Sequence, residues 1–149
     1  MRIEDEIKQV KFENEFHKLM INLLFSGKWI SDLINNHHKQ YGLTSQQYNV
    51  LRILRGQHPK SATVNLISTR MIDRMSNVSR LIDKLESKGY AERISCKNDR
   101  RQVDINITKQ GLDLLKKIDG QQSEIDQKLN NLSEEEAATF NKLLDKLRG

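Results

Sequence analysis

Apolar residues recur at steps of three and four along the first quarter of the chain, which is the spacing of one helix face. The stripe runs over residues 3–38 and includes Gly27. Because glycine costs about 1 kcal/mol relative to alanine in a helix, the pattern allows either one kinked helix or two in series. A single small subunit could hardly cover so long an apolar face. We therefore predict that these residues form part of a dimer interface.

A second helix is predicted after Thr44, which is a suitable N-cap residue, because Gln47 three residues later can close a capping box. Pro59 marks its end, since proline lacks the backbone donor that a helix needs. Thr63 can cap a third helix over residues 64–72. The chain from Thr44 to residue 72 is therefore predicted to hold two short helices.

A fourth helix is predicted over residues 76–88, after a three-residue joint. Ser76 is the predicted N-cap, and Gly89 occupies the position beyond the end where a left-handed residue is favoured. Two short helices separated by such a joint form a helix-turn-helix. On a helical wheel the fourth helix is amphipathic. Its apolar side holds Val78, Leu81, Ile82 and Leu85, and its polar side holds Ser76, Asn77, Arg80, Asp83, Lys84 and Ser87.

After Gly89 the hydrophobic period changes from 3.6 to 2, which predicts strands. Residues 90–95 can form one strand, and residues 103–107 alternate between apolar and polar side chains as a return strand with one buried face. A helix-turn-helix followed by a hairpin is a winged helix. The loop of this predicted wing contains Cys96, Lys97, Asp99, Arg100 and Arg101.

Two further helices are predicted at the C-terminal end. Thr108 can cap a long helix with Gly120 as an internal soft point, and Ser133 with Glu136 forms a second capping box. The predicted fold class is mainly α with a small β-hairpin wing. We expect one domain, 1–149, in which a winged helix-turn-helix at about 43–108 is flanked by dimerisation helices at about 1–42 and 109–149.

The composition agrees with a helical protein whose partner is a polyanion. The chain carries a net charge of +5 and has a pI near 9.3, with 36% hydrophobic residues and one proline. No apolar run approaches the roughly 20 residues that cross a bilayer, and the first residues are too polar for a signal peptide. We expect a cytoplasmic protein with no membrane partner.

No enzyme, cofactor or metal chemistry is predicted. The sequence contains no phosphate-binding glycine motif, HExxH or GxSxG. Its one cysteine, Cys96, cannot form an internal disulfide and has no neighbouring histidine or cysteine with which to hold zinc. His37 and His38 are adjacent, so on a helix they point about 100 degrees apart and cannot both chelate one metal without further ligands.

The polar side of the fourth helix fits a DNA-reading surface. Arg80 can make a bidentate contact to guanine and Asn77 to adenine, while Lys84 or the Ser76 hydroxyl can hold phosphate. The alternative is an ordinary solvated helix face. The wing adds weight, because Lys97, Arg100 and Arg101 at a hairpin tip can reach a minor groove.

Asp99 stands two residues before Arg101 in the wing loop. We predict that this carboxylate orients the Arg101 guanidinium through a charge-assisted pair. A solvated loop whose ion pair contributes little is the alternative.

Three stretches together resemble the MarR family of bacterial winged-helix transcription regulators. These are Leu43-Thr44 with Gln47, then NVSRLIDKLESKGYAER, and then DRRQVDINIT with Gly111 shortly after. The resemblance implies a symmetric dimer that represses from a palindromic operator on double-stranded DNA and leaves it when a small-molecule effector binds. By this resemblance Asp99 and Arg101 match the wing pair. Ser76, Asn77, Ser79, Arg80 and Lys84 fall on the recognition helix.

Two alternative functions remain open at the level of sequence. One is a winged-helix scaffold that contacts only proteins. The other is a thiol-based redox-sensing regulator acting through Cys96, although the family's peroxide sensors carry their reactive cysteine in the first helix and this chain has none there.

Overall fold

The structure of the protein, a computed structural model, describes residues 1–95, 103–121 and 127–149. Within those ranges, helices and strands follow one another as α1 (Ile3–Ile7), α2 (Glu15–Lys39), α3 (Ser45–Gln57), β1 (Ala62–Thr63), α4 (Val64–Arg70), α5 (Val78–Ser87), β2 (Ala91–Ser95), β3 (Val103–Ile107), α6 (Lys109–Asp119) and α7 (Glu134–Arg148). None of these helices is long and apolar enough to cross a membrane.

The N-terminal stripe forms two helices, and the interruption lies before Gly27 rather than at it. Lys8 adopts the left-handed conformation (φ 54°) at the end of α1. Asn14 starts α2 by accepting a hydrogen bond from the His17 amide at 2.9 Å. Gly27 lies inside α2. A strong cap therefore decides the boundary here, and the modest cost of an internal glycine does not.

The predicted caps of α3 and α4 are confirmed. Thr44 accepts from the Gln47 amide at 3.2 Å, and the Gln47 side chain accepts from the Thr44 amide at 3.0 Å. Thr63 accepts from the Leu66 amide at 3.1 Å. Helix α4 ends at Arg70, two residues before the predicted end.

Helix α5 begins later than predicted. Asn77, not Ser76, is its N-cap, because the Asn77 Oδ1 accepts from the Arg80 amide at 3.1 Å. Beyond the helix, Gly89 has a positive φ of 73°, as predicted. The predicted start was wrong by two residues because both Ser76 and Asn77 are good caps and the pattern alone does not choose between them.

The predicted hairpin is confirmed, and a third strand joins it. Strands β2 and β3 pair antiparallel, with Arg93 opposite Ile105. Strand β1 pairs with the other side of β3, with Ala62 opposite Ile105, so the sheet order is β1-β3-β2. Strand β1 was not predicted from the sequence, since a two-residue strand is too short to show a periodic pattern.

One hydrophobic core unites α3, α4, α5, α6 and the sheet. Its most deeply buried side chains are Val50, Leu51, Leu54, Ile67, Ile82, Leu85, Ile105, Leu115 and Ile118. Helix α6 contributes Leu115 and Ile118 and ends at Asp119 with Gly120 as its C-cap. Gly120 therefore ends the helix and is not an internal soft point as predicted.

The terminal helices α2 and α7 leave apolar side chains exposed. Helix α7 starts with the predicted capping box, with Ser133 accepting from the Glu136 amide at 3.2 Å, but it contains no buried residue. Phe16 of α2 is 82% exposed and Leu143 of α7 is 58% exposed. The single chain thus buries one core and leaves a second apolar surface in contact with water.

Gly111 in the first turn of α6 packs directly on the start of the wing. A Cβ at this position would lie 2.4 Å from the Tyr90 carbonyl oxygen and 2.8 Å from Ile107 Cγ1. We predict that Gly111→Ala lowers the free energy of unfolding by about 1–3 kcal/mol, because overpacking forces the backbone apart. Urea denaturation followed by circular dichroism measures the change.

Gly56→Ala is the matched control, because Gly56 is an exposed position in helix α3, away from the predicted dimer interface, and nothing beyond its own helix backbone and chain neighbours lies within 4 Å of the added Cβ. It should leave stability unchanged or raise it by up to about 1 kcal/mol. Equal unfolding midpoints for Gly111→Ala and the unmodified chain would show that the contact is not tight.

Candidate nucleic-acid interface

Helix α5 is fixed in the core by one side and presents the other to solvent. Ile82 and Leu85 have no exposed surface, and Val78 is 4% exposed. Arg80 and Lys84 are exposed on the opposite side, as predicted, and so is Ser79 at the margin. The burial of the apolar side fixes the rotation of α5 about its axis, and it therefore fixes which side chains face outward.

The outward cations of α5 are Arg80 and Lys84. Within the described part of the chain, no carboxylate lies within 4.0 Å of the Arg80 or Lys84 nitrogen atoms. Their charge is available to a polyanion. A guanidinium in this position can form paired hydrogen bonds with the two acceptors of guanine, and an ammonium group can hold phosphate.

The polar groups at the start of α5 are less available than predicted. The Asn77 Oδ1 is engaged as the N-cap acceptor, and a bidentate contact to adenine needs that acceptor as well as the amide nitrogen. The Ser76 hydroxyl oxygen is buried. Ser76 could reach a phosphate only after its side chain turned outward.

The wing loop lies outside the described residues. Cys96, Lys97, Asp99, Arg100 and Arg101 all belong to it. The Asp99–Arg101 pair and the groove contacts of the wing therefore stay predictions.

The base of the wing is tied to α5 by Arg93 of β2, which the sequence analysis missed. The Arg93 guanidinium pairs with both Asp83 and Glu86, and its backbone amide donates to Glu86 Oε1 at 3.2 Å. The hydrogen bond that Arg93 donates to Asp83, followed by the one that it donates to Glu86, raises the Arg93 pKa. Asp83 and Glu86 are three residues apart and so share a helix face, but the pattern could not name their partner on a strand. The contact sets the orientation of the wing relative to α5.

The joint between α4 and α5 is held by two side chains of α3, which sequence reasoning also missed. Gln46 donates to Asp73 Oδ2 at 2.8 Å, and Asn49 Oδ1 accepts from the Ile72 amide at 3.0 Å. Asp73 Oδ1 in turn accepts from the Met75 amide at 3.0 Å. The hydrogen bond from Gln46, followed by that from Met75, lowers the Asp73 pKa. These bonds fix the path of the chain into α5.

Two buried histidines lie where α2 meets α3. His38 is 3% exposed, and its ring stacks on Tyr48 with centroids 4.1 Å apart. Its Nδ1 lies 3.3 Å from the Ser45 Oγ. Burial, followed by the charge of His37, lowers the His38 pKa from 6.5 to about 4. Within residues 1–95, 103–121 and 127–149, no group of three possible metal ligands is formed.

Comparisons with known proteins agree with this architecture. The MarR family model matches residues 43–103, which span the winged helix. The transcriptional regulator MhqR of Bacillus subtilis is 30% identical over 131 residues, covering 87% of this chain and 89% of MhqR.

Two solved structures of similar proteins contain DNA. A mutant of Escherichia coli MarR complexed with operator DNA is 25% identical with a TM-score of 0.79, covering 93% of this chain and 99% of that one. The S. aureus MepR–DNA complex is also 25% identical, with a TM-score of 0.73 and coverage of 92% and 97%. The likeness thus extends over both the winged helix and the flanking helices.

We predict that stability falls as the pH is lowered from 7 to 5, because of His38. Its pKa is about 4 in the folded chain and 6.5 as the ordinary value, so between these values the unfolded chain binds a proton that the folded chain does not. The slope contributed by one such group is at most about 1.4 kcal/mol per pH unit. Urea unfolding at fixed protein concentration across this pH range measures it.

His38→Phe keeps an aromatic ring against Tyr48 and removes the titrating group, so it should flatten the profile. His58→Asn is the control, because His58 is exposed and outside this junction. A profile that is equally steep in the unmodified chain and in His38→Phe would contradict the assignment.

Proposed function

The chain belongs to the MarR family, and on that premise we propose that it is a transcriptional regulator that binds double-stranded DNA as a dimer. The observation that carries the proposal is the outward face of α5. Arg80 and Lys84 stand there without a carboxylate partner among the described residues, on a helix whose other side is locked into the core. A helix held in this way with outward cations fits a DNA major groove.

The proposed contacts divide between the helix and the wing. Arg80 reads guanine, and Lys84 neutralises phosphate. Lys97, Arg100 and an Asp99-oriented Arg101 reach the flanking minor groove, as the sequence predicts. Helix α5 selects the sequence, and the wing mainly adds affinity.

Dimerisation uses the apolar surface that α2 and α7 leave exposed. Phe16 and Leu24 of α2 are 82% and 69% exposed, and Leu147 of α7 is 55% exposed. Together with Leu19, Met20 and Leu23, these side chains line one apolar hollow to which both helices contribute. A second copy would remove this surface from water. We place α6 with the winged helix, since its apolar residues belong to that core.

A two-fold dimer presents two α5 helices to successive major grooves, about 34 Å apart, and so requires a palindromic operator. We propose that the protein is a cytoplasmic repressor that leaves this operator when a small-molecule effector binds. The DNA contained in the two similar solved structures supports DNA binding over a protein-only scaffold. The thiol-sensor hypothesis rests on Cys96, outside the described residues, and is not favoured by the relatives found.

Arg80→Ala should relax base preference and cost about 1–3 kcal/mol on the preferred operator, because a bidentate guanine contact is lost. The operator is first selected from a random DNA pool. Binding to that duplex and to base-substituted duplexes is then compared by fluorescence anisotropy at one salt concentration, since affinity depends steeply on salt.

Arg101→Ala is the charge-matched comparison, because it also removes one positive charge, and it should weaken binding to selected and scrambled duplexes alike. Arg80→Lys keeps the charge but lacks the planar fork, so it should still lose base preference. Unchanged affinity in both alanine variants would exclude these residues from the interface. The scaffold alternative would be favoured by a different result. In that case the chain retains no duplex from the random pool and instead binds another protein with an affinity that does not depend on salt.

Leu143→Glu should shift the protein towards monomer at micromolar concentration, because it places a charge in the proposed apolar interface of α7. Multi-angle light scattering measures the mass. Ala138→Glu is the matched control, since Ala138 is also exposed but lies on the far side of α7. A stable monomer in the unmodified chain would contradict dimerisation itself.

A further inference from the structure

An exposed apolar side chain stands immediately before the recognition helix. Met75 is 94% exposed in the joint between α4 and α5, and Ile72 in the same joint is 83% exposed. Single exposed apolar residues are common on protein surfaces. Met75 is distinguished by its position and by the way its backbone is held.

The backbone around Met75 is fixed by hydrogen bonds. Its amide donates to Asp73 Oδ1 at 3.0 Å, and Asp73 Oδ2 accepts from Gln46 at 2.8 Å. The next amide, of Ser76, donates to the Asp73 carbonyl oxygen at 3.2 Å. With its backbone held in this way, Met75 extends from a fixed point into solvent.

That point lies at the end of α5 where base edges are read. Met75 stands two residues before the N-cap Asn77, and the N-terminal residues of a recognition helix are those that meet bases. The polar side chains at this end of α5 are largely unavailable for base contacts, because the Asn77 Oδ1 caps the helix and the Ser76 hydroxyl oxygen is buried. Of these three residues, Met75 has the side chain best placed to reach outward.

We propose that Met75 contacts the 5-methyl group of a thymine in the major groove and so selects a T·A pair at that position. This inference rests on the proposed function, because it assumes that α5 enters the groove. The thymine methyl is the apolar group that the major-groove code offers. A methionine side chain is unbranched and adaptable, and so suits an apolar contact whose geometry differs between sites.

Ile72 is the natural comparison within the same joint. It is nearly as exposed as Met75 but stands five residues before Asn77. Its amide is bound by Asn49 Oδ1 at 3.0 Å, which anchors it against α3. The proposal therefore assigns the methyl contact to Met75 and none to Ile72.

Replacing thymine by deoxyuridine removes the methyl group and leaves every hydrogen bond of the base pair in place. An operator is selected from a random pool with the unmodified protein, and each thymine is then replaced singly. Dissociation constants are measured by fluorescence anisotropy at fixed salt. For the unmodified protein, we expect one thymine position at which the replacement weakens binding about four-fold, the ratio that corresponds to one buried methyl group.

In Met75→Ala and in Met75→Gln the replacement at that position should no longer weaken binding, so that the ratio of dissociation constants is about one. In Ile72→Ala the roughly four-fold ratio should remain. Penalties that are unchanged in both Met75 variants, or that vanish only in Ile72→Ala, would overturn the assignment. So would the lack of any sensitive thymine position. If no duplex is selected at all, the proposed function itself fails, and this outcome is distinct from DNA binding that does not sense the methyl group.

Discussion

The structure depends on the burial of one side of α5. Ile82 and Leu85 lose all contact with water in a core that α3, α6 and the sheet complete. Rotation of α5 would expose these side chains, each at a cost of about 1.5–3 kcal/mol, and so its outward face is not adjustable. The direction of Arg80 and Lys84 is therefore a consequence of packing. Any partner that binds this face therefore meets side chains whose backbone positions are already fixed by the core.

The role of a charged side chain in this protein depends on whether an opposite charge lies beside it, and the net charge of the chain does not show this. Arg93 carries the same charge as Arg80, but its guanidinium is neutralised by Asp83 and Glu86 and ties the wing to the helix. Arg80 has no such carboxylate among the described residues. A net charge of +5 would be the same if the two roles were exchanged. The difference between a structural cation and one available to a ligand appears only once the partners are placed.

The sequence predicted the features that local chemistry determines. The caps at Thr44, Thr63 and Ser133 and the apolar side of α5 follow from hydrogen-bonding groups and periodicity within a few residues. It did not predict strand β1 or the contact of Arg93 with α5, because both need residues from distant parts of the chain to meet. The prediction of Ser76 rather than Asn77 as the cap was wrong for a related reason. Both residues suit the position, and the joint held by Gln46 and Asn49 of α3 accompanies the observed start.

The short strand β1 has a mechanical consequence for the wing. It pairs with β3 only at Asp104 and Ile105, so β3 has a neighbouring strand on both sides there and only β2 beside it at Val103, Asn106 and Ile107. The hairpin is therefore held at two places, by the pairing of β1 with β3 and by the contact of Arg93 with α5. A force on its outer end would be carried into the segment before α4 and into α5. The same two supports that build the wing thus connect it to both helices of the helix-turn-helix.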